Sequence, residues 1–189
     1  MKGVVGIKPT PVNLAQHAYW NLGGHDSGTI LKNKLEIFGD QVTTVDENLI
    51  PNGKLKDVRG TPYDFTTERS IWSQFKNVKG GYDINYALKG GKVIKVEQMD
   101  LHLAARVSEP MSGRILELYT NQPGMQFYTG NHLDRIRGKN GTLYQAHSGL
   151  CLETQGYPNA INQPNFPSIL VEPGQVYHHR MLFRFSVQK

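Results

Sequence analysis

The sequence of 189 residues has one cysteine, Cys151, so no disulfide forms within it. Disulfides belong to oxidising compartments, and a single thiol fits a reducing one, which makes the chain an expected cytoplasmic protein. Long apolar runs are absent as well. Nothing approaches the roughly 18 apolar residues that a membrane helix needs. The early Val4-Val5-Gly6-Ile7 patch is too short and too broken by glycine for a signal-peptide core. No membrane partner is expected. Clustered charge is the third absence. The formal charge is +5 and the pI is near 9.3, yet lysine and arginine are scattered along the chain. The densest run, Arg135 to Lys139, sits beside Asn140-Gly141 and reads as a solvated hairpin loop. A nucleic-acid footprint needs gathered charge, so no nucleic-acid partner is expected either.

Sustained helical period is scarce too, and 20 glycines and 10 prolines interrupt the chain throughout. What is present is short-range alternation, the period of strands. Strands are expected at Leu31–Phe38, Gln41–Val45, Lys92–Val96, Met99–Val107, Arg114–Thr120, Met125–Thr129 and, as one closing strand, Tyr177–Val187. The one expected helical turn is Ser70–Phe75, with a threonine from Thr66-Thr67 as its cap. No repeat or linker divides the chain, so residues 1–189 read as one all-β domain. Many short strands with turns between them argue for an antiparallel sandwich or barrel.

Three polar clusters lie among aromatics and glycines. In Asn13 to Gly24, His17 is flanked by Tyr19 and Trp20, a setting for proton donation to a sugar oxygen or for a histidine satisfied by backbone. In Lys79 to Tyr86, Gly80-Gly81 allows a tight turn or close approach. The following Asp83 either accepts hydrogen bonds from hydroxyls or serves as an ordinary loop residue. In Ser148 to Pro158, Glu153 follows an apolar run and is expected at a strand end, partly desolvated. Burial raises a carboxyl's pKa and strengthens it as a base, though an arginine partner is an equal reading. The seven histidines show no ligand spacing, and His178-His179, as strand neighbours, would point to opposite faces, so no metal is expected. Cys151, inside Leu150-Cys151-Leu152, reads as packed rather than nucleophilic.

Taken in order, these phrases resemble the aldose 1-epimerase (galactose mutarotase) family, most closely its plant-type members. Asn13 to Leu22 is similar to the family's Asn-His-x-Tyr-Trp-Asn-Leu signature, and Gly81-Tyr82-Asp83-Ile84-Asn85 to its Gly-(aromatic)-Asp-His-Asn loop. Gln122 to Asn131 and Gly149 to Gln155 resemble its two late motifs. Asn162 to Pro167 and the closing Phe183 to Val187 add two further matches, so the likeness runs from Thr10 to Val187.

The resemblance implies a galactose mutarotase-like antiparallel β-sandwich, cut short at its N-terminal side, that interconverts the α and β anomers of free hexoses such as glucose and galactose. It implies Glu153 as catalytic base at the anomeric hydroxyl and His17 as the acid at the ring oxygen. Asp83 and Gln126 would bind substrate hydroxyls, and no cofactor or metal is implied, because the reaction is two proton transfers. Three departures accompany it. Ile84 replaces the usual histidine after the aspartate, and Ala15-Gln16 replaces a frequent Thr-Asn. The family's chain is nearly twice this length, and its upstream half supplies an arginine and a second histidine that have no match here. The expectation is therefore weak or no activity unless the chain dimerises through exposed sheet surface or meets the missing half. Two competing readings are a glycosidase with Asp83 and Glu153 as its carboxylate pair, and a non-catalytic sugar-binding module that stacks sugars on Trp20, Tyr82 and Phe127.

Overall fold

The computed structural model describes residues 1–188. Two short strands come first, β1 (Lys2–Val4) and β2 (Thr10–Pro11). A 3-10 turn at Ile30–Lys32 leads into β3 (Lys34–Ile37), β4 (Gln41–Val45) and β5 (Pro51–Asp57). Next come β6 (Arg69–Ser70) and the single helical turn α1 (Trp72–Phe75). The middle of the chain forms β7 (Asp83–Ala87), β8 (Val93–Val96), β9 (Met99–Ser108), β10 (Arg114–Thr120) and β11 (Gly124–Tyr128). A small hairpin of β12 (Ile136–Arg137) and β13 (Leu143–Tyr144) precedes β14 (Cys151–Gln155). The chain closes with β15 (Leu170–Val171), β16 (Val176–His178) and β17 (Met181–Val187).

Two antiparallel sheets carry the fold. One runs β17-β10-β9-β3-β6, with β8 also on β9, and the other runs β14-β11-β7-β4-β5. Their inner faces share one core. Leu35, Val107, Leu116 and Leu118 come from the first sheet, Tyr86, Phe127 and Leu152 from the second, and Phe65 and Ile71 from the segments between. Period-2 alternation decides which residues reach it: in β14, Leu152 turns inward while Cys151, Glu153 and Gln155 share the other face. Burying each such aliphatic or aromatic side chain contributes roughly 1.5–3 kcal/mol. Two phenols are buried with them and satisfied. Tyr82 donates to the carbonyl of Pro62 at 2.9 Å and Tyr86 to that of Tyr63 at 2.7 Å. Burial pushes the Tyr82 hydroxyl up to about 12.

The all-β antiparallel architecture expected from the alternation is present, as are the strands at Gln41–Val45 and Arg114–Thr120. Three local expectations are corrected. The closing strand is broken, because Asn121 reaches across, accepting from the Arg180 amide at 2.9 Å and donating to the His178 carbonyl at 3.0 Å. The helical turn starts from Ile71 with no side-chain cap. Thr66 instead turns back to Asp64, donating from both amide and hydroxyl. The segment before β3 is a 3-10 turn with Ile30 and Leu31 buried rather than the start of the strand. At the edge of its sheet, β17 leaves Phe185 and Val187 exposed. Among the described residues, no helix is long and apolar enough to cross a membrane.

Candidate functional site

The site is built on β11. Its register sets Gln126 opposite Glu153 of β14 on one side and Asn85 of β7 on the other. The next row aligns Cys151, Tyr128 and Asp83. Because alternate residues share a face, these two rows lie together on the side of the sheet away from the core. Gln126 donates from Nε2 to Oδ1 of Asp83 at 2.7 Å, which fixes both side chains. Just before β7, Gly80 and Gly81 adopt φ of +80° and +84°. A Cβ on Gly81 would stand 2.1 Å from Oδ1 of Asn131, so only glycine fits this close turn.

His17 comes from irregular chain laid along the outer edge of β14. An open strand edge leaves backbone groups to satisfy, and side chains do so here. Asn13 exchanges two hydrogen bonds with Gly156, at 2.8 and 3.1 Å. Gln16 donates to the Leu152 carbonyl at 2.9 Å while its Oε1 accepts from the Ala18 amide. Trp20 and Leu150 bond backbone to backbone in both directions. Between these ties, His17 Nε2 comes within 3.6 Å of Glu153 Oε1. The imidazole stacks on Tyr19 at 5.1 Å and meets the edge of Tyr128 at 6.3 Å.

These groups surround an open polar cleft of about 350 Å³, lined by His17, Tyr19, Asp83, Gln126, Tyr128, Glu153, Gln155 and Pro158. The Glu153 side chain is 13% exposed and that of His17 52%. Burial holds the Glu153 carboxyl above the usual glutamate value; His17 pulls it down and Asp83 pushes it up, leaving it raised overall. Cys151 lies beneath, fully buried. Its thiol is raised strongly by burial and further by the negative charges of Glu153 and Asp83, so it keeps its proton. Potential ligand atoms of His17, Cys151 and Glu153 lie within 4.8 Å of one another. This grouping arises from the fold and not from sequence spacing. The raised thiol opposes the deprotonation that thiolate coordination requires.

All four residues singled out in the sequence, His17, Asp83, Gln126 and Glu153, therefore meet in one cleft. Other expectations are corrected. Glu153 is in the middle of β14 rather than at its end. Tyr82 and Phe127 belong to the core and offer no sugar platform. Trp20 turns to Phe183 and Phe185, at 5.3 and 5.5 Å. The rings that do border the cleft are Tyr19 and Tyr128. Parity was the available signal, since Tyr128 stands two residues from Gln126 in one strand and so shares its face.

His179 was also missed. It lies outside β16, fully buried, instead of alternating with His178. Its Nδ1 donates to the Leu14 carbonyl at 3.0 Å, which leaves Nε2 to accept from the Thr154 hydroxyl at 2.8 Å. One imidazole thus ties the strand residue next to Glu153 to the segment that carries His17.

Residues 3–184 match the family model for aldose 1-epimerase. The chain is 46% identical to human galactose mutarotase over 180 residues, 94% of this chain and 51% of that protein. It is 35% identical to the aldose 1-epimerase of Escherichia coli K12, covering 96% of this chain and 52% of that one. The crystal structure of an aldose epimerase homologue from C. elegans superimposes with a TM-score of 0.81 at 27% identity, over 96% of this chain and 53% of that one. The chain spans about half the length of the curated relatives it matches. With 46% identity to a named relative and a family model matched over residues 3–184, this chain belongs to the aldose 1-epimerase family.

Proposed function

We propose that the cleft binds a free hexose and interconverts its anomers by paired proton transfer. In this reading, Glu153 takes the proton from the anomeric hydroxyl while protonated His17 gives one to the ring oxygen. The bond between C1 and the ring oxygen breaks, leaving an open-chain aldehyde. Rotation about C1–C2 exposes the other carbonyl face. Reclosure with the two roles reversed returns both protons and yields the opposite anomer. Asp83 and Gln126 bind the remaining hydroxyls, and the edges of Tyr19 and Tyr128 border the sugar ring.

The observation that carries this reading is the 3.6 Å approach of His17 Nε2 to Glu153 Oε1 across a cleft floored by the Gln126–Asp83 hydrogen bond. A proton acceptor and a proton donor lie side by side, on the scale of the two oxygens that share an anomeric carbon. The raised Glu153 pKa adds to its strength as a base. A glycosidase reading is less well supported. It requires two carboxylates free to flank the scissile bond, whereas Asp83 is engaged by Gln126, and Glu153 is faced by an imidazole.

The relatives named galactose mutarotase point to galactose as a hexose to test, and the motif resemblance adds glucose. We assign residues 1–189 to one domain of cytoplasmic protein. The exposed edge of β17 is the surface through which a second copy would pair. Polarimetry of freshly dissolved α-galactose and α-glucose tests the activity. The protein should shorten the relaxation to equilibrium, and Asp83→Ala should weaken substrate binding more than turnover. Relaxation at the buffer rate with added protein would contradict the reading.

A further inference from the structure

We propose that His17, Glu153 and Cys151 form an inhibitory site for a divalent cation of the zinc class, which shuts the cleft by ligating the acid and the base together. The inhibition rests on the hexose reading above, whereas the binding of the metal stands on the geometry. One donor atom from each of the three residues lies within 4.8 Å of the others. His17 Nε2 and Glu153 Oε1 are 3.6 Å apart. A tetrahedral zinc ion has bonds of about 2.0 Å to nitrogen and oxygen and about 2.3 Å to sulfur, which sets its ligands roughly 3.3–3.5 Å from one another. The imidazole and the carboxylate therefore stand near ligand spacing. Closing the widest separation, at most 4.8 Å, to roughly 3.5 Å brings in the sulfur.

The fold leaves room for that adjustment. Cys151 and Glu153 are two residues apart in β14 and share its outer face. Pairing with β11 fixes their strand, while His17 is half-exposed on irregular chain and is the partner free to close. The surroundings favour a cation. Among the described residues that line the cleft are two carboxylates, Asp83 and Glu153, and no lysine or arginine. The open mouth admits a water as fourth ligand, beside three from the protein. A sulfur, an imidazole and one carboxylate select zinc or cadmium over magnesium and calcium, which prefer oxygen.

Burial keeps the free Cys151 thiol protonated, so metal binding is an exchange. The metal–sulfur bond forms, the S–H bond breaks, and the proton leaves to solvent through the cleft. The charge of the ion drives this step, because a thiol that coordinates a metal is deprotonated outright. The imidazole and the carboxylate face the open side and meet the ion first. With the lone pairs of Nε2 and Oε1 on the metal, neither side chain can move a proton to or from a sugar.

Cys151 is the single cysteine of the chain, so a thiolate-to-metal absorption band can come from nowhere else. Titration of the whole reduced chain with cadmium chloride should raise that ultraviolet band with one-to-one stoichiometry. His17→Ala, at a half-exposed position, should weaken the titration at least about tenfold, since changes outside the ligand shell already cost about 10–100-fold. In a parallel assay, zinc chloride should slow glucose anomer exchange, a chelator should restore it, and magnesium chloride should do nothing. Cys151→Ser should raise the zinc concentration for half-inhibition at least about tenfold, with each variant read against its own metal-free rate. The site is overturned if saturating cadmium gives no band, if the band is equally tight in His17→Ala, or if zinc inhibits Cys151→Ser and the parent alike. If the metal-free chain exchanges no anomers while the band forms and depends on His17, the hexose reading falls and the metal site stands.

Discussion

Thr154 donates its hydroxyl to Nε2 of His179 at 2.8 Å, fully buried and directly behind the strand position of Glu153. The other ring nitrogen holds the Leu14 carbonyl, three residues before His17. Removing the ring in His179→Ala orphans the buried Thr154 hydroxyl, at a cost of about 1–3 kcal/mol, and releases the Leu14 carbonyl. Thermal or urea unfolding should show that loss. In whatever fraction remains folded, the turnover number should drop while hexose binding through Asp83 persists.

The same histidine gives the fold an acid limit. Burial lowers its pKa, with the Leu14 hydrogen bond opposing and the chain's amino terminus adding to the shift. A histidine whose folded value lies below its unfolded value stabilises the fold above the ordinary histidine range. That contribution is lost as pH falls through the depressed folded value. Melting temperature should therefore decline from pH 7 toward pH 4, and His179→Gln should flatten the decline.

Glu153 has the opposite sign. Its folded pKa is raised, chiefly by burial, so the folded state holds its proton more tightly than the unfolded chain does. The stability associated with that proton is present at low pH and is lost as pH rises through the folded value. Glu153→Gln should accordingly melt higher than the parent at pH 7, with the gap closing near pH 4. A gap that is absent or reversed at neutral pH would show that His17 compensates for the burial of the charge.

Gly81→Ala tests the turn that delivers Asp83. The new Cβ would meet Asn131 Oδ1 at 2.1 Å, and the backbone sits at φ of +84°. Asn131 also accepts from Thr129 and donates to the Tyr82 carbonyl, so it has little room to move. Strain of this kind costs about 1–3 kcal/mol. Calorimetry should show the loss, and hexose binding should weaken together with it.

Much of the sheet was readable from period-2 alternation because each major strand buries one face, as in Arg114–Thr120, where Leu116 and Leu118 enter the core. The break at His179-Arg180 was not readable. It is stapled by Asn121 from about sixty residues away, and no local residue marks it. The site divides the same way. Asp83, Gln126 and Glu153 sit on strands, and their parity places them on one face once the register is known. The approach of His17 to Glu153 joins residues 136 positions apart through side-chain bonds to a strand edge, and only the family resemblance anticipated it. The competing sugar-binding-module reading uses Tyr82 and Phe127 as platforms on residue type alone. Parity with Asp83 and Gln126 would have sent both inward.

The central claim is that Glu153 and His17 act together as base and acid on a hexose. The measurement that tests it most directly is two-dimensional exchange NMR of glucose anomers with the parent protein and Glu153→Gln, taken across pH 4 to 8. The account predicts exchange above the buffer rate that falls away in acid with a midpoint above the usual glutamate value, and a loss of about 10²–10⁴-fold in Glu153→Gln. Enhanced exchange that survives this substitution, or no enhancement at any pH, would contradict it.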